Sequence, residues 1–135
     1  MQEGLRMKVL IIDDDVDMTD VLKLVLEGAG FDVVVNNSSI ESIAATRYHN
    51  PDVVILDLLM PGMDGWEVCK AIRRFSQIPI LILSVFSRPG MIEQALDAGA
   101  DDYLVKPVPR GVLVAHLNGL ARRARVELAA AMMAA

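Results

Sequence analysis

The chain is short of cysteine, of positive charge and of long apolar runs, and each shortage removes a class of protein. Its one thiol, Cys69, cannot form an internal disulfide, which fits a reducing compartment. Nothing near Cys69 offers the partner that a nucleophilic thiol needs, so it reads as packing. Lysine and arginine total 13 against 18 acids, a net charge of -5, which weighs against direct nucleic-acid binding by this domain. Met1–Met7 is polar, and the apolar run Val9–Ile12 ends in Asp13, Asp14 and Asp15, unlike the core of a secretory signal. No apolar stretch approaches the roughly 20 residues of a membrane span. There is no internal repeat. These absences together point to a soluble protein of the cytoplasm.

What remains is an aliphatic chain of 135 residues, 53% hydrophobic and 23% charged, enough for one packed domain and too little for two. Short apolar runs at Lys8–Ile12, Phe31–Val35, Val53–Leu56, Ile80–Leu83 and Tyr103–Val105 read as strands. Several are unbroken Val/Ile/Leu runs, the pattern of strands covered on both faces. Between them run helical stripes: Val21, Leu22, Val25 and Leu26; Ile40, Ile43 and Ala44; Val68, Ala71 and Ile72; Ile92, Ala95 and Leu96. A last helix follows Pro109, with Leu113, Leu117, Leu120 and Ala124 on one side. Gly28, Gly30 and Gly99 stand where helices should stop, and Ser38 or Ser39 suits the N-cap of the second helix. Five strands alternating with five helices imply a parallel α/β sheet with right-handed crossovers and helices on both faces. The expected domain spans 7–125, with 1–6 an N-terminal extension and the Ala- and Met-rich 126–135 a tail or linker remnant.

In such a sheet the carboxyl ends of the strands share one edge, where ligands bind. The first strand runs into Asp13, Asp14 and Asp15, the third ends at Asp57, the fourth at Ser84 and the fifth at Lys106-Pro107. A lone strand-end aspartate usually caps a helix or starts a turn. Several together are costly, since carboxylates about 4–5 Å apart repel by a few kcal/mol even at an effective dielectric near 20. A hard divalent cation offsets that repulsion, and Mg2+ suits few carboxylates plus waters and a phosphate. A carboxylate is also a competent nucleophile toward phosphorus, giving an acyl phosphate. Lys106 can then place a positive charge, and Ser84 a hydroxyl, against the phosphoryl oxygens.

Four segments carry a resemblance at this point: the apolar strand before Asp13-Asp14; Leu56–Gly65 with Asp57, Pro61 and Gly62; Pro79–Ser84; and Gly99–Pro107 with Tyr103 and Lys106. In this order, over about residues 7–124, they resemble the response-regulator receiver domains of two-component signalling, the CheY-like superfamily. The resemblance implies a flavodoxin-like, doubly wound five-stranded parallel sheet of order 2-1-3-4-5. It implies Asp57 as the phosphoacceptor, with Mg2+ held by Asp13 (mainly through water), Asp14, Asp57 and the backbone carbonyl of Leu59. Ser84 and Lys106 would read the phosphoryl group, Tyr103 would be the switch aromatic, and Lys106-Pro107 would be cis.

Such a domain takes its phosphoryl group from a sensor histidine kinase or phosphotransfer protein. It is not an enzyme beyond its own phosphorylation and dephosphorylation. Its partner face would be the fourth helix, fifth strand and fifth helix. Asp101, Asp102 and Tyr103 with Arg122 and Arg123 resemble receivers that form a homodimer there, although His116 replaces an expected arginine. An attached effector domain could bind DNA; the receiver itself would not. Leu59 and Phe86 are expected to flank the phosphoryl group as an apolar wall that lengthens its lifetime, and Trp66 lies close to the acidic edge.

The main alternative is a Mg-dependent phosphohydrolase with Asp57 as nucleophile. Such enzymes place a second acid two residues later, where this chain has Leu59. A nucleotide- or flavin-binding protein would need a Gly- or Ser/Thr-rich loop after the first strand, where an aspartate triplet would repel phosphate.

Overall fold

The computed structural model describes residues 6–134. In chain order the elements are β1 (Lys8–Ile12), α1 (Val16–Gly28), β2 (Asp32–Asn36), α2 (Ser39–His49), β3 (Val53–Leu56), α3 (Gly65–Arg73), β4 (Ile80–Ser84), α4 (Pro89–Asp97), β5 (Asp102–Val105) and α5 (Arg110–Ala134). The five strands form one sheet of order β2-β1-β3-β4-β5. Every neighbouring pair is parallel. This is the expected doubly wound arrangement.

The unbroken aliphatic strands follow from burial on both faces. Leu10, Ile12, Val54, Leu56, Ile80 and Ile82 point to the side covered by α2, α3 and α4. Val9, Ile11, Val53, Ile55, Leu81 and Leu83 point to the other, where Leu26 of α1 and Leu113, Leu117 and Leu120 of α5 close the core. Gly30 and Gly99, with φ of 97° and 114°, turn the chain after α1 and α4, a geometry that costs other residues.

Three helical stripes differ from expectation; on α4, Leu96 is 44% exposed while Ala95 is buried. On α2, Ile40 is 73% exposed, and the face turned inward carries Ser39, Ser42 and Thr46. The hydroxyls of Ser42 and Thr46 are satisfied by the carbonyls of Ser39 and Ser42 one turn back, which makes their burial affordable without apolar side chains. On α1, Val21 is 58% exposed while Thr19 is fully buried, so the true stripe is rotated toward Thr19, Leu22 and Leu26. Spacing alone could not separate a buried hydroxyl from an exposed one. Ser38 is the N-cap of α2, its hydroxyl accepting from the Glu41 amide, and Asp15 caps α1 by accepting from Met18.

Candidate functional site

Parallel register brings the acids together. β1 and β3 pair with Ile12 beside Leu56, so the next residues, Asp13 and Asp57, leave the sheet side by side. The Asp57 amide donates to the Ile12 carbonyl at 3.0 Å. One carboxylate oxygen from each of Asp13, Asp14 and Asp57 lies within 4.8 Å of the others. They line an open cleft of about 530 Å³, together with Asp15, Leu59, Val85 and Lys106.

On the other side, Ser84 of β4 pairs with Val105 of β5, and the Lys106 amide donates to the Ser84 carbonyl at 2.8 Å. The Lys106 side chain thereby reaches back across the edge, its Nζ 3.1 Å from Asp13 Oδ2. The Lys106-Pro107 bond is cis, as expected.

The Asp57 carboxyl is pushed up from the ordinary 3.8 to about 6. Burial is the largest cause and the charge of Asp13 adds to it, while Lys106 and the amides of Leu58 and Leu59 pull the other way. Its Oδ1 accepts from the Leu58 amide at 2.9 Å. The turn around it is closed by the start of α3, where Gly65 donates to the Leu58 carbonyl at 2.9 Å. A Cβ on Gly65 would lie 2.4 Å from the Asp57 carbonyl oxygen and 2.6 Å from Leu58 Cα, so only glycine fits. Asp64 and Glu67 complete a capping box that fixes this helix start.

The donor set is chemically right for a hard cation. Three carboxylates within reach of one ion, with little compensating positive charge besides Lys106, present oxygen ligands and open space for water. Mg2+ fits these residues, and they would hold it at Asp13, Asp14 and Asp57.

Ser84 is fully buried, with its Oγ accepting from the Phe86 amide at 3.2 Å. Tyr103 is turned inward and half-buried, and its hydroxyl donates to the Phe86 carbonyl at 2.8 Å. The Phe86 side chain does not line the acidic cleft. It packs against the core on the α2–α4 side, and Val85, 64% exposed, lines the cleft instead with Leu59. β4 ends at Ser84, and the chain bends at Val85, which leaves Val85 at the cleft and Phe86 on the core side. Trp66 is likewise packed into the core side rather than lining the acidic cleft. Cys69 is buried, its thiol raised to about 11 by that burial, as befits packing.

On the α4–β5–α5 face both acids of the pair are engaged within the chain. Asp101 accepts from the Arg73 guanidinium and the Ile80 amide, each at 2.8 Å. Asp102 pairs with His116.

The family model of the response regulator receiver domain matches residues 9–118. The chain belongs to that family. As a receiver domain it is 37% identical over 121 residues to the DNA-binding response regulator MtrA of Mycobacterium tuberculosis, covering 90% of this chain and 53% of that one. It is 38% identical over 119 residues to the transcriptional regulatory protein AfsQ1 of Streptomyces coelicolor, covering 88% and 53%. The chain thus spans about half the length of the curated relatives it matches. Among solved structures it is similar to a two-component response regulator from Clostridium difficile, with TM-score 0.83 and 33% identity over 87% of this chain and 98% of that one. The chemotaxis protein CheY4 of Vibrio cholerae gives TM-score 0.80 and 32% identity over 85% and 98%.

Proposed function

We propose that this receiver domain is a phosphoacceptor switch that takes a phosphoryl group from a histidine kinase or phosphotransfer protein onto Asp57, with Mg2+ as its cofactor. The observation that carries the reading is Asp57 at the tip of the central strand, with Asp13 and Asp14 in reach of a shared ion and Lys106 on the far side. The Asp57 oxygen not held by the Leu58 amide attacks phosphorus; a new P–O bond forms and the donor's phosphoryl bond breaks. Burial keeps this oxygen more basic, and so more nucleophilic, than an ordinary carboxylate, yet ionised at neutral pH. Held by Asp13, Asp14 and Asp57, Mg2+ would supply positive charge against the phosphoryl oxygens. Lys106 holds Asp13 and supplies a second positive charge beside them.

Ser84 and Tyr103 transmit the event. Both meet the backbone of Phe86, the first through its amide and the second through its carbonyl. A phosphoryl group that draws the Ser84 hydroxyl toward it disturbs the same turn that holds Tyr103. The α4–β5–α5 face then changes its partners by population shift. A second copy is one such partner; its charge pairs must displace Arg73 from Asp101 or His116 from Asp102. No described helix is long and apolar enough to cross a membrane. A phosphohydrolase reading is disfavoured by Leu59, 63% exposed where that chemistry needs an acid.

Incubation with Mg2+ and a small acyl-phosphate donor, followed by intact-mass measurement, tests the proposal. A gain of one phosphoryl group is expected, absent in Asp57→Asn and absent without Mg2+. Continuous turnover of a phosphate ester would overturn it.

A further inference from the structure

We propose that the junction of β2 and α2 is the positioning element of the cation site: Asn37 in the turn and Ser39 at the start of α2 hold the two loops that carry its ligands. The inference rests on the Mg2+ reading above and adds residues that do not touch the ion.

The first loop is Asp13–Asp15. Its Asp13 amide donates to the Asn36 carbonyl at 3.2 Å. Asn37 Nδ2 donates to the Asp13 carbonyl at 2.7 Å and to the Thr19 hydroxyl at 3.0 Å. Thr19 is fully buried and donates to the Val16 carbonyl, so it is a fixed post inside α1. A single carboxamide therefore ties the backbone of Asp13 to the helix that follows it.

The second loop runs from Asp57 to Asp64 and carries Leu59. Ser39 Oγ donates to the Pro61 carbonyl at 2.7 Å and accepts from the Met63 amide at 3.0 Å. Ser39 is 3% exposed, and one hydroxyl satisfies both backbone groups on either side of Gly62. The two clamps are two residues apart, at one junction, and each grips a different ligand-bearing loop.

Their purpose follows from the charge they oppose. Asp13, Asp14 and Asp57 repel when no cation is bound, and an unclamped pair of loops would relieve the strain by spreading. Loops that spread must be drawn back when the ion binds, at a cost in affinity. Groups behind metal ligands typically matter by about 10–100-fold in affinity. Neither Asn37 nor Ser39 lines the acidic cleft, so their effect runs through backbone position.

Calorimetric titration of MgCl2 into the ion-free chain at pH 7.5 tests this, with thermal unfolding in EDTA run beside it. Asn37→Ala should weaken Mg2+ about tenfold with little change in unfolding temperature, because Asn37 is exposed. Ser39→Ala should weaken it comparably. Asn37→Asp decides between position and charge. An added negative charge near the site would tighten cation binding by Coulomb attraction, whereas a carboxylate facing the Asp13 carbonyl breaks the clamp and weakens it. Wild-type protein that binds no Mg2+ overturns the cation reading itself. Wild-type binding with Asn37→Ala within twofold, or with Asn37→Asp tighter, overturns the clamp alone. Asn37→Ala keeps the test valid where Ser39→Ala fails to fold.

Discussion

Removing the charge of Asp57 should make the ion-free protein more stable at neutral pH. Burial lifts this carboxyl from 3.8 to about 6, with Asp13 adding to the rise. An acid with a raised folded-state value holds its proton more tightly in the folded chain than in the unfolded one. Its contribution to stability is fully present below pH 3.8 and is lost as pH rises through about 6. At about 1.4 kcal/mol for each tenfold change in proton affinity, the loss is about 3 kcal/mol by pH 7.5. That is a large part of a domain stability of about 5–15 kcal/mol. Asparagine keeps the shape of the side chain and never ionises. Urea unfolding in EDTA should therefore show Asp57→Asn more stable than the parent by about 3 kcal/mol at pH 7.5, about half of that at pH 5, and nearly equal at pH 3.5.

Magnesium should reverse the ranking. A ligand that binds only the folded state stabilises it by mass action, about 4.1 kcal/mol at a thousandfold excess over the dissociation constant, which exceeds the loss of about 3 kcal/mol. The parent has all three carboxylates to bind it and the variant has lost one. An advantage for Asp57→Asn that is absent at pH 7.5, or that does not change between pH 3.5 and 7.5, would refute the account of Asp57 as an acid held partly buried, with Asp13 beside it.

Four other outcomes are expected. Gly65→Ala should cost about 3 kcal/mol in urea unfolding, because its Cβ would meet the Asp57 carbonyl oxygen at 2.4 Å and the backbone of the turn after Asp57 must move. Leu59→Asn should shorten the acyl-phosphate lifetime several-fold, measured by loss of the phosphorylated mass after donor removal, since Leu59 is an exposed apolar side chain lining the cleft with Asp57. Phe86→Glu should leave that lifetime unchanged and instead lower stability by roughly 2 kcal/mol, because the side chain packs against the core. Trp66 emission should shift on phosphorylation if the movement around Ser84 reaches α3; flat emission beside a full mass gain would show that it does not.

The architecture was legible because it is written in apolar residues. Unbroken runs such as Val53–Leu56, short, β-branched and alternating with helical segments, fit strands buried on both faces, and parallel register then places Asp13 beside Asp57. Asp57, Lys106 and Ser84 could be found from their positions at strand ends alone. The polar residues behaved differently. Ser39 looked like one of two equivalent N-cap candidates, and Ile40, Ile43 and Ala44 looked like a packing stripe. The helix is instead rotated to bury Ser39, Ser42 and Thr46. A hydroxyl can be buried or solvated at equal local cost, and its partner decides which. For Ser39 that partner is 22 positions away at Pro61, and for Arg73 it lies 28 positions away at Asp101. Nothing in local pattern marks such pairs.

This division has a physical consequence for the site. The sheet determines which side chains gather, and it does so through apolar packing that can tolerate exchange of one aliphatic residue for another. How tightly the gathered acids are held depends on directional hydrogen bonds from Asn37, Ser39, Gly65 and the Asp64–Glu67 box. These bonds cannot be exchanged without losing a partner for a backbone group. Core residues and Asn37 should therefore separate stability from cation affinity, whereas Gly65 and Asp57 touch both. Core truncations such as Leu56→Ala lower stability by about 2–5 kcal/mol while changing cation affinity little in whatever fraction stays folded. Loss of the Asn37 carboxamide does the reverse. A receiver built this way can drift in its core and keep its chemistry, because the geometry that matters is fixed by a few polar contacts at one edge of the sheet.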